Sequence, residues 1–250
     1  MSSPYRPLHL ISILTLGFLL FSCGDRQAQR IVDEAISAHG GEAFESMELS
    51  FDFRKRHYTA TRDNGMFTYT REFTDSTGSI KDVLSNDGFT RYVDGSIIDL
   101  PDKRKKAFTS SVNSVIYFAL LPFGLNDDAV NKEWIRGTEI GGNRYEVVRV
   151  TFDETAGGSD HQDIFLYWFN SETYTMDYLA YTYETDGGGL RFRKAVNPRV
   201  VGGIRVQDYI NYKPKDETIP LDSLEPLFVR GELEILSEIR QENVVVDELR

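Results

Sequence analysis

The densest group of metal-ligating residue types lies in one short stretch, where Asp153, Asp160, His161 and Asp163 surround Gly157-Gly158-Ser159. Carboxylates on a flexible loop suit a hard cation such as calcium. His161 with two carboxylates would suit zinc and leave a position open for water. Either arrangement would make the chain a metal-dependent hydrolase, with His161 as general base. The spacing follows no strict metal motif, and a solvated acidic hairpin tip accounts for the same residues.

Arg191 and Arg193 share one strand face just after Gly187-Gly188-Gly189. Two guanidinium forks on one face can grip a carboxylate or phosphate, or pair with Asp and Glu across the sheet. A glycine run cradles phosphate when a helix N-terminus stands behind it. Here a strand pattern follows, as in a flexible hairpin turn. Tyr117, Phe118 and Trp134, with Tyr167, Trp168, Tyr178, Tyr181 and Tyr183, offer apolar walls with polar tips. Such side chains line a pocket for an amphipathic ligand or simply pack a core. There is no Gly-x-Ser-x-Gly elbow and no basis for a Ser-His-Asp triad.

Cys23 is the single cysteine of the chain. It closes Leu20-Phe21-Ser22-Cys23, which resembles a lipobox, and the apolar run Leu8–Phe21 precedes it. A run this short fits a secretory leader rather than a membrane-spanning helix. The expected organisation is a lipoprotein signal peptide over 1–22, a tether over 23–29 and one domain over 30–250. Acylation of Cys23 would turn an unpaired thiol into a thioether and fix the chain to a membrane. An ordinary signal peptide cut nearby would instead leave a free thiol. The expected place is the cell envelope, at the periplasmic face of an outer membrane.

The net charge of −11 opposes binding to nucleic acid backbones. Arg54-Lys55-Arg56 and Asp102-Lys103-Arg104-Lys105-Lys106 are basic exceptions that suit solvated surface. No cofactor is expected. Thirteen tyrosines and 16 phenylalanines suit a sheet with large amphipathic side chains.

The elements that must position these residues are mostly strands. Ile31, Ala35 and Ala38 predict a helix over 30–39 that stops at Gly40-Gly41. From Glu48 the period changes to two, and Asp63-Asn64-Gly65 predicts a hairpin. Short strands follow to Leu100. Phe108, Val112, Val115, Ile116 and Leu120 then recur at helical spacing, predicting a helix over 105–121 that ends before Pro122. A short helix is expected over 129–134. Strands resume at 144–152, 163–170, 176–184, 190–197 and 204–212, and 229–238 reads equally as strand or helix. The fold class expected is mainly β within α+β: one large curved antiparallel sheet, a half-open barrel with helices on its concave face.

AHGG at 38–41, NSVIYFALLPFGLND at 113–127, TMDYLAYTYETDGGGLRFR at 175–193 and RVQDYINYK at 205–213 resemble segments of a Bacteroidota lipoprotein family with no established activity. That group in turn is similar in shape to the half-barrel of the lipoprotein carriers LolA and LolB. The resemblance implies a concave apolar surface that holds a lipid or another hydrophobic ligand. The reading that follows is a membrane-anchored, non-catalytic binding protein with a pocket between the sheet and the 105–121 helix. The alternatives are the metal-dependent hydrolase and an envelope assembly scaffold that docks a partner strand at a sheet edge. Cys23→Ser is expected to release the chain from membranes into the soluble fraction on cell fractionation, because a serine hydroxyl cannot form the thioether.

Overall fold

A computed structural model describes residues 17–153, 162–184 and 187–249, with side chains from Gly24 onward. The chain is a helix followed by a six-stranded meander, twice over, and then a final hairpin. Helix α1 (Gly17–His39) leads into β1 (Ser46–Phe53), β2 (Arg56–Asp63), β3 (Met66–Asp75), β4 (Gly78–Ser85), β5 (Gly88–Val93) and β6 (Ser96–Ile98). Helix α2 (Asp102–Leu120) leads into β7 (Val130–Ile140), β8 (Asn143–Phe152), β9 (Phe165–Asn170), β10 (Met176–Tyr183), β11 (Gly189–Val201) and β12 (Ile204–Lys213). Helix α3 (Leu224–Val229), β13 (Glu234–Ile239) and β14 (Glu242–Glu248) complete the fold. No helix among the described residues is long and apolar enough to cross a membrane.

The strands form two antiparallel seven-stranded sheets rather than the single large one expected. Their orders are β14-β1-β2-β3-β4-β5-β6 and β13-β12-β11-β10-β9-β8-β7. The closing hairpin divides itself, with β13 extending the second sheet and β14 the first. The chain crosses at Gln241, whose carbonyl accepts from Arg199 Nη2 at 2.6 Å and whose N–H donates to Asp208 at 3.0 Å. Neither sheet closes on itself, so the half-open architecture stands.

The helices are exchanged. α1 precedes the first meander but buries Ala28, Ile31, Val32 and Ala35 against the second sheet. Ala38, expected on that face, is exposed, and His39 takes the buried position instead. α2 precedes the second meander and turns Val112, Ile116 and Leu120 to the first sheet. That spacing of four places one stripe. The adjoining stripe, Tyr117 and Phe118 with Leu121 beyond the helix end, packs into the second core. α2 therefore lies between the sheets. Every described core residue lies at or beyond Ala28.

Several element expectations are corrected. Residues 129–134 are not helical. From Val130 they form the start of β7, which pairs with β8 along its whole length, so the ladder decides the segment. The ambiguous 229–238 segment divides, with α3 ending at Val229 and β13 starting at Glu234. β11 runs on to Val201, and Pro198 falls where the register shifts between Val196 and Arg199, so no ladder N–H is lost there. Asn64 and Gly65 both have positive φ, as the tight hairpin at 63–65 requires.

The second sheet is covered on its other face too. Leu166, Trp168 and Phe192 meet Leu224 and Phe228 of α3 there. Glu225 of α3 accepts from Arg136 at 2.7 Å, Thr138 at 2.6 Å and the Trp168 indole at 2.8 Å. On the inner face of the first sheet, Arg71 and Arg91 both clasp Asp82. Their Nε atoms lie 2.9 and 2.6 Å from its carboxylate, which is fully buried.

His39 ties α1 to β10. Its Nδ1 lies 2.8 Å from the Ala35 carbonyl and its Nε2 3.4 Å from the Met176 N–H. A carbonyl only accepts and an N–H only donates, so the ring is neutral with its proton on Nδ1. Burial, the largest influence, lowers its pKa to about 4 from the ordinary 6.5. The unfolded chain then binds the extra proton first as pH falls. Stability is full above pH 6.5 and declines by roughly 3 kcal/mol as the pH approaches 4. Urea unfolding of wild type and His39→Gln at neutral and acid pH checks this, and the variant is expected to lose that part of the slope.

Candidate functional site

The candidate site grows from the inner face of the second sheet. Strand alternation sends Leu179, Tyr181 and Tyr183 of β10 inward and Tyr178, Ala180 and Thr182 outward. On β9 the inward set is Phe165, Tyr167 and Phe169. On β11 it is Arg191, Arg193 and Ala195. Phe165 stacks on Tyr181 at 5.2 Å between ring centroids, and Phe118 from α2 leans on Tyr181 at 5.3 Å. Tyr117 and Tyr167 share a hydroxyl–hydroxyl hydrogen bond of 2.9 Å. Burial raises the pKa of both phenols, so both stay neutral. Tyr209 on β12 is pushed up to about 12 for the same reason.

Arg193 stands in the middle of these rings. It is only 8% exposed. Its guanidinium carbon lies 3.8 Å from the Phe118 ring centroid and 5.1 Å from that of Tyr181. Nη2 donates to the Tyr181 hydroxyl at 2.6 Å. Nε has no hydrogen-bond partner. The residue facing it on β12 is Asn211, whose Oδ1 is also buried without a partner. Among the described residues no carboxylate pairs with Arg193.

A buried charge without a counter-ion is costly, and contact with aromatic faces offsets only part of that cost. Arg193 therefore offers an unused N–H and an uncompensated charge inside an aromatic basin. That combination suits the anionic head of an otherwise apolar molecule. The basin is filled by its own side chains in this structure. Two hollows lie elsewhere: one of about 650 Å³ runs between Pro214–Ile219 and Leu227–Glu234, and one of about 450 Å³ is bordered by Asn143, Tyr178 and Lys194. Among the described residues, α2 and the sheet meet here in direct contact through Tyr117 and Phe118.

The residues singled out from the sequence separate into groups. Tyr117, Phe118, Tyr167, Tyr181 and Arg193 come together. Arg191 and Tyr183 form the next rung, where Arg191 donates to the Tyr183 hydroxyl and lies 3.4 Å from Glu217. Trp134 sits on the edge strand β7, its indole donating to Glu146 at 2.6 Å. Trp168 and Tyr178 lie on the opposite face, against α3. A Cβ on Gly189 would collide with the Glu217 carboxylate, so that carboxylate, rather than an incoming phosphate, fills the space beside the glycine run.

For the metal set, Asp160 and His161 lie outside the described residues. Asp153 accepts from Asn131 at 2.7 Å, and Asp163 is close enough to Tyr117 to help raise its pKa. Among the described residues no group of three metal-ligating side chains assembles. Phe165, Tyr209 and Asn211 were not singled out from the sequence. Alternation along FLYWFN and YINY would have flagged their face, but not the register that sets Asn211 opposite Arg193.

Residues 9–241 match a family of unknown function, DUF6503. No curated protein matches the chain. A LolA superfamily protein from Nitrosomonas europaea is 12% identical over 89% of this chain and 93% of its own, with a TM-score of 0.50. A DUF1329 family protein from Desulfovibrio piger is 11% identical over 88% of this chain and 93% of its own, with a TM-score of 0.52. At such identities the likeness concerns the fold alone, and it agrees with the half-open barrel.

The two buried arginine sites should respond oppositely to mutation. Arg193→Met replaces an uncompensated charge with a side chain of similar length, so stability in urea unfolding is expected to hold or rise by about 1–4 kcal/mol. Asp82→Asn leaves Arg71 and Arg91 without their counter-charge and is expected to lose about 3–5 kcal/mol.

Proposed function

We propose the following role for this chain, which belongs to the DUF6503 family of unknown function: it is a non-catalytic, lipid-anchored binding protein of the cell envelope that holds an amphipathic molecule with an anionic head. The carrying observation is Arg193, buried among Phe118 and Tyr181 with a free N–H and no carboxylate beside it among the described residues. The head of the ligand would take the guanidinium, and its apolar tail would lie along the rings of β9 and β10. Entry requires Phe118 to swing off Arg193, because that ring covers the guanidinium in the present packing. Asn211 Oδ1, opposite, would accept from a protonated or hydroxyl-bearing head group.

The LolA-like architecture supports this reading by analogy of shape. The lipobox-like Leu20–Cys23 segment supports the anchor. The side chain of Cys23 lies outside those described.

Palmitic acid and its methyl ester distinguish head-group recognition from simple greasiness. Titration calorimetry is expected to show the acid binding at least about tenfold more tightly, the worth of a charge-assisted hydrogen bond in a buried site. In Arg193→Met the preference should vanish while the weaker apolar binding persists. Equal affinity of wild type for acid and ester, or no binding of either, would overturn the proposal.

A further inference from the structure

Two basic runs stand far apart in the sequence, Arg54-Lys55-Arg56 in the β1–β2 turn and Lys103 to Lys106 in the first turns of α2. The structure links them into one strip along the inner face of the first sheet. The Arg56 guanidinium lies 4.8 Å from the Phe73 ring centroid, and Arg71 lies 5.7 Å from the same ring. Arg71 is joined to Arg91 through Asp82. Arg91 lies 3.5 Å from the Phe108 ring centroid, and Arg104 lies 5.2 Å from that ring. Contacts through two rings and one carboxylate therefore run unbroken from Arg56 to Arg104.

The strip carries more positive charge than its own acids neutralise. Asp82 holds one negative charge against two arginines. Asp75 and Asp94 accept from the Thr77 and Ser79 N–H groups at 2.7 and 2.9 Å and keep their charge, and the exposed Asp99 follows Ile98; with Asp82 and Asp102 that makes five acids against the nine cations of the two runs, Arg71 and Arg91. Asp102 stands in the first turn of α2, where the helix dipole favours it. Arg54, Lys55, Lys103 and Lys105 are exposed. All this sits on a chain whose net charge is −11, so the local field runs against the average.

Next to the strip the edge strand β6 shows apolar side chains to solvent. Ile97 is 69% exposed and Ile98 39%. Ile98 is paired with Arg91 across the β5–β6 ladder, so it stands directly beside the strip.

We propose that the exposed ends of this strip dock the domain on the anionic face of a lipid bilayer, with the β6 edge, from which Ile97 and Ile98 project to either side, entering the interfacial layer. Exposed cations flanking exposed isoleucines match a surface that is negative outside and apolar beneath. A nucleic acid fits less well. The rings of the strip are already covered by its own arginines and cannot stack bases, and the isoleucines of the β6 edge would meet a phosphate backbone with no apolar layer beneath it. The inference stands apart from the Arg193 basin, which belongs to the other sheet.

The test uses the chain begun at Gly24, upstream of the first core residue, so that neither leader nor acyl group contributes. It is sedimented with vesicles of phosphatidylcholine alone or mixed with phosphatidylglycerol. Binding is expected to the mixed vesicles, weakening with salt. Lys55→Gln, Lys103→Gln and Lys105→Gln should each lower affinity about fivefold, the effect of one cation near a charged surface. Ile97→Ser with Ile98→Ser should lower it further while leaving the salt dependence in place. These positions are exposed, and unchanged melting curves are expected for all the variants. No binding to mixed vesicles, equal binding to both vesicle types, or indifference to the lysine changes would overturn the proposal. So would displacement by inorganic phosphate at matched ionic strength, which would mean a soluble-anion site, or tighter binding to a single-stranded oligonucleotide than to the mixed vesicles.

Discussion

The exchange of the two helices is the packing constraint on which the molecule rests. Each meander has an apolar inner face that must be covered, and the cover comes wholly or in part from the helix that precedes the other meander. α1 lies on the second sheet, and α2 lies between both. The final hairpin repeats the exchange by giving one strand to each sheet. Neither half can bury its own inner face alone, so the two are expected to act as one cooperative unit. His39 marks this dependence, because its neutral ring bonds the end of α1 to the start of β10.

The same arrangement leaves arginines inside, and the two sheets accommodate them differently. On the first sheet, Asp82 satisfies Arg71 and Arg91 with short charge-assisted bonds, and Ser111 of α2 accepts from Arg71 at 2.7 Å. On the second sheet, Arg193 has aromatic faces and one phenol instead. Arginines paired to a carboxylate hold structure together, while a cation with no carboxylate beside it among the described residues leaves binding capacity unused. That difference separates a structural site from a candidate ligand site, although both lie beneath α2.

Burial on both faces also explains an asymmetry in composition. The strands of the first sheet alternate, with Met47, Leu49 and Phe51 buried between more exposed neighbours. β9 of the second sheet reads FLYWF without alternation, and all five residues are buried. A sheet covered on one side by α1 and on the other by α3 needs apolar side chains in both directions. Glu225 is admitted to the outer layer because Arg136, Thr138 and Trp168 all donate to it.

The sequence by itself determined what depends on near neighbours: the change of period at Glu48, the hairpin at Asp63–Gly65, the stripe of α2 and the two faces of YLAYTYE. Those features follow from side-chain geometry within a few residues. The assignment of 129–134 to a helix failed because β8, paired to it by tertiary structure, was invisible to a local reading. The candidate site was legible only in part. Arg193, Tyr181 and Phe118 could be named as types worth watching, but Trp168 was grouped with them although alternation places it on the opposite face. Only the tertiary structure decided which helix covers which sheet, that Asn211 faces Arg193, and that the runs at 54–56 and 103–106 belong to one strip. Such pairings join segments widely separated in the chain, and the packing of whole sheets, rather than any local preference, sets which of them meet.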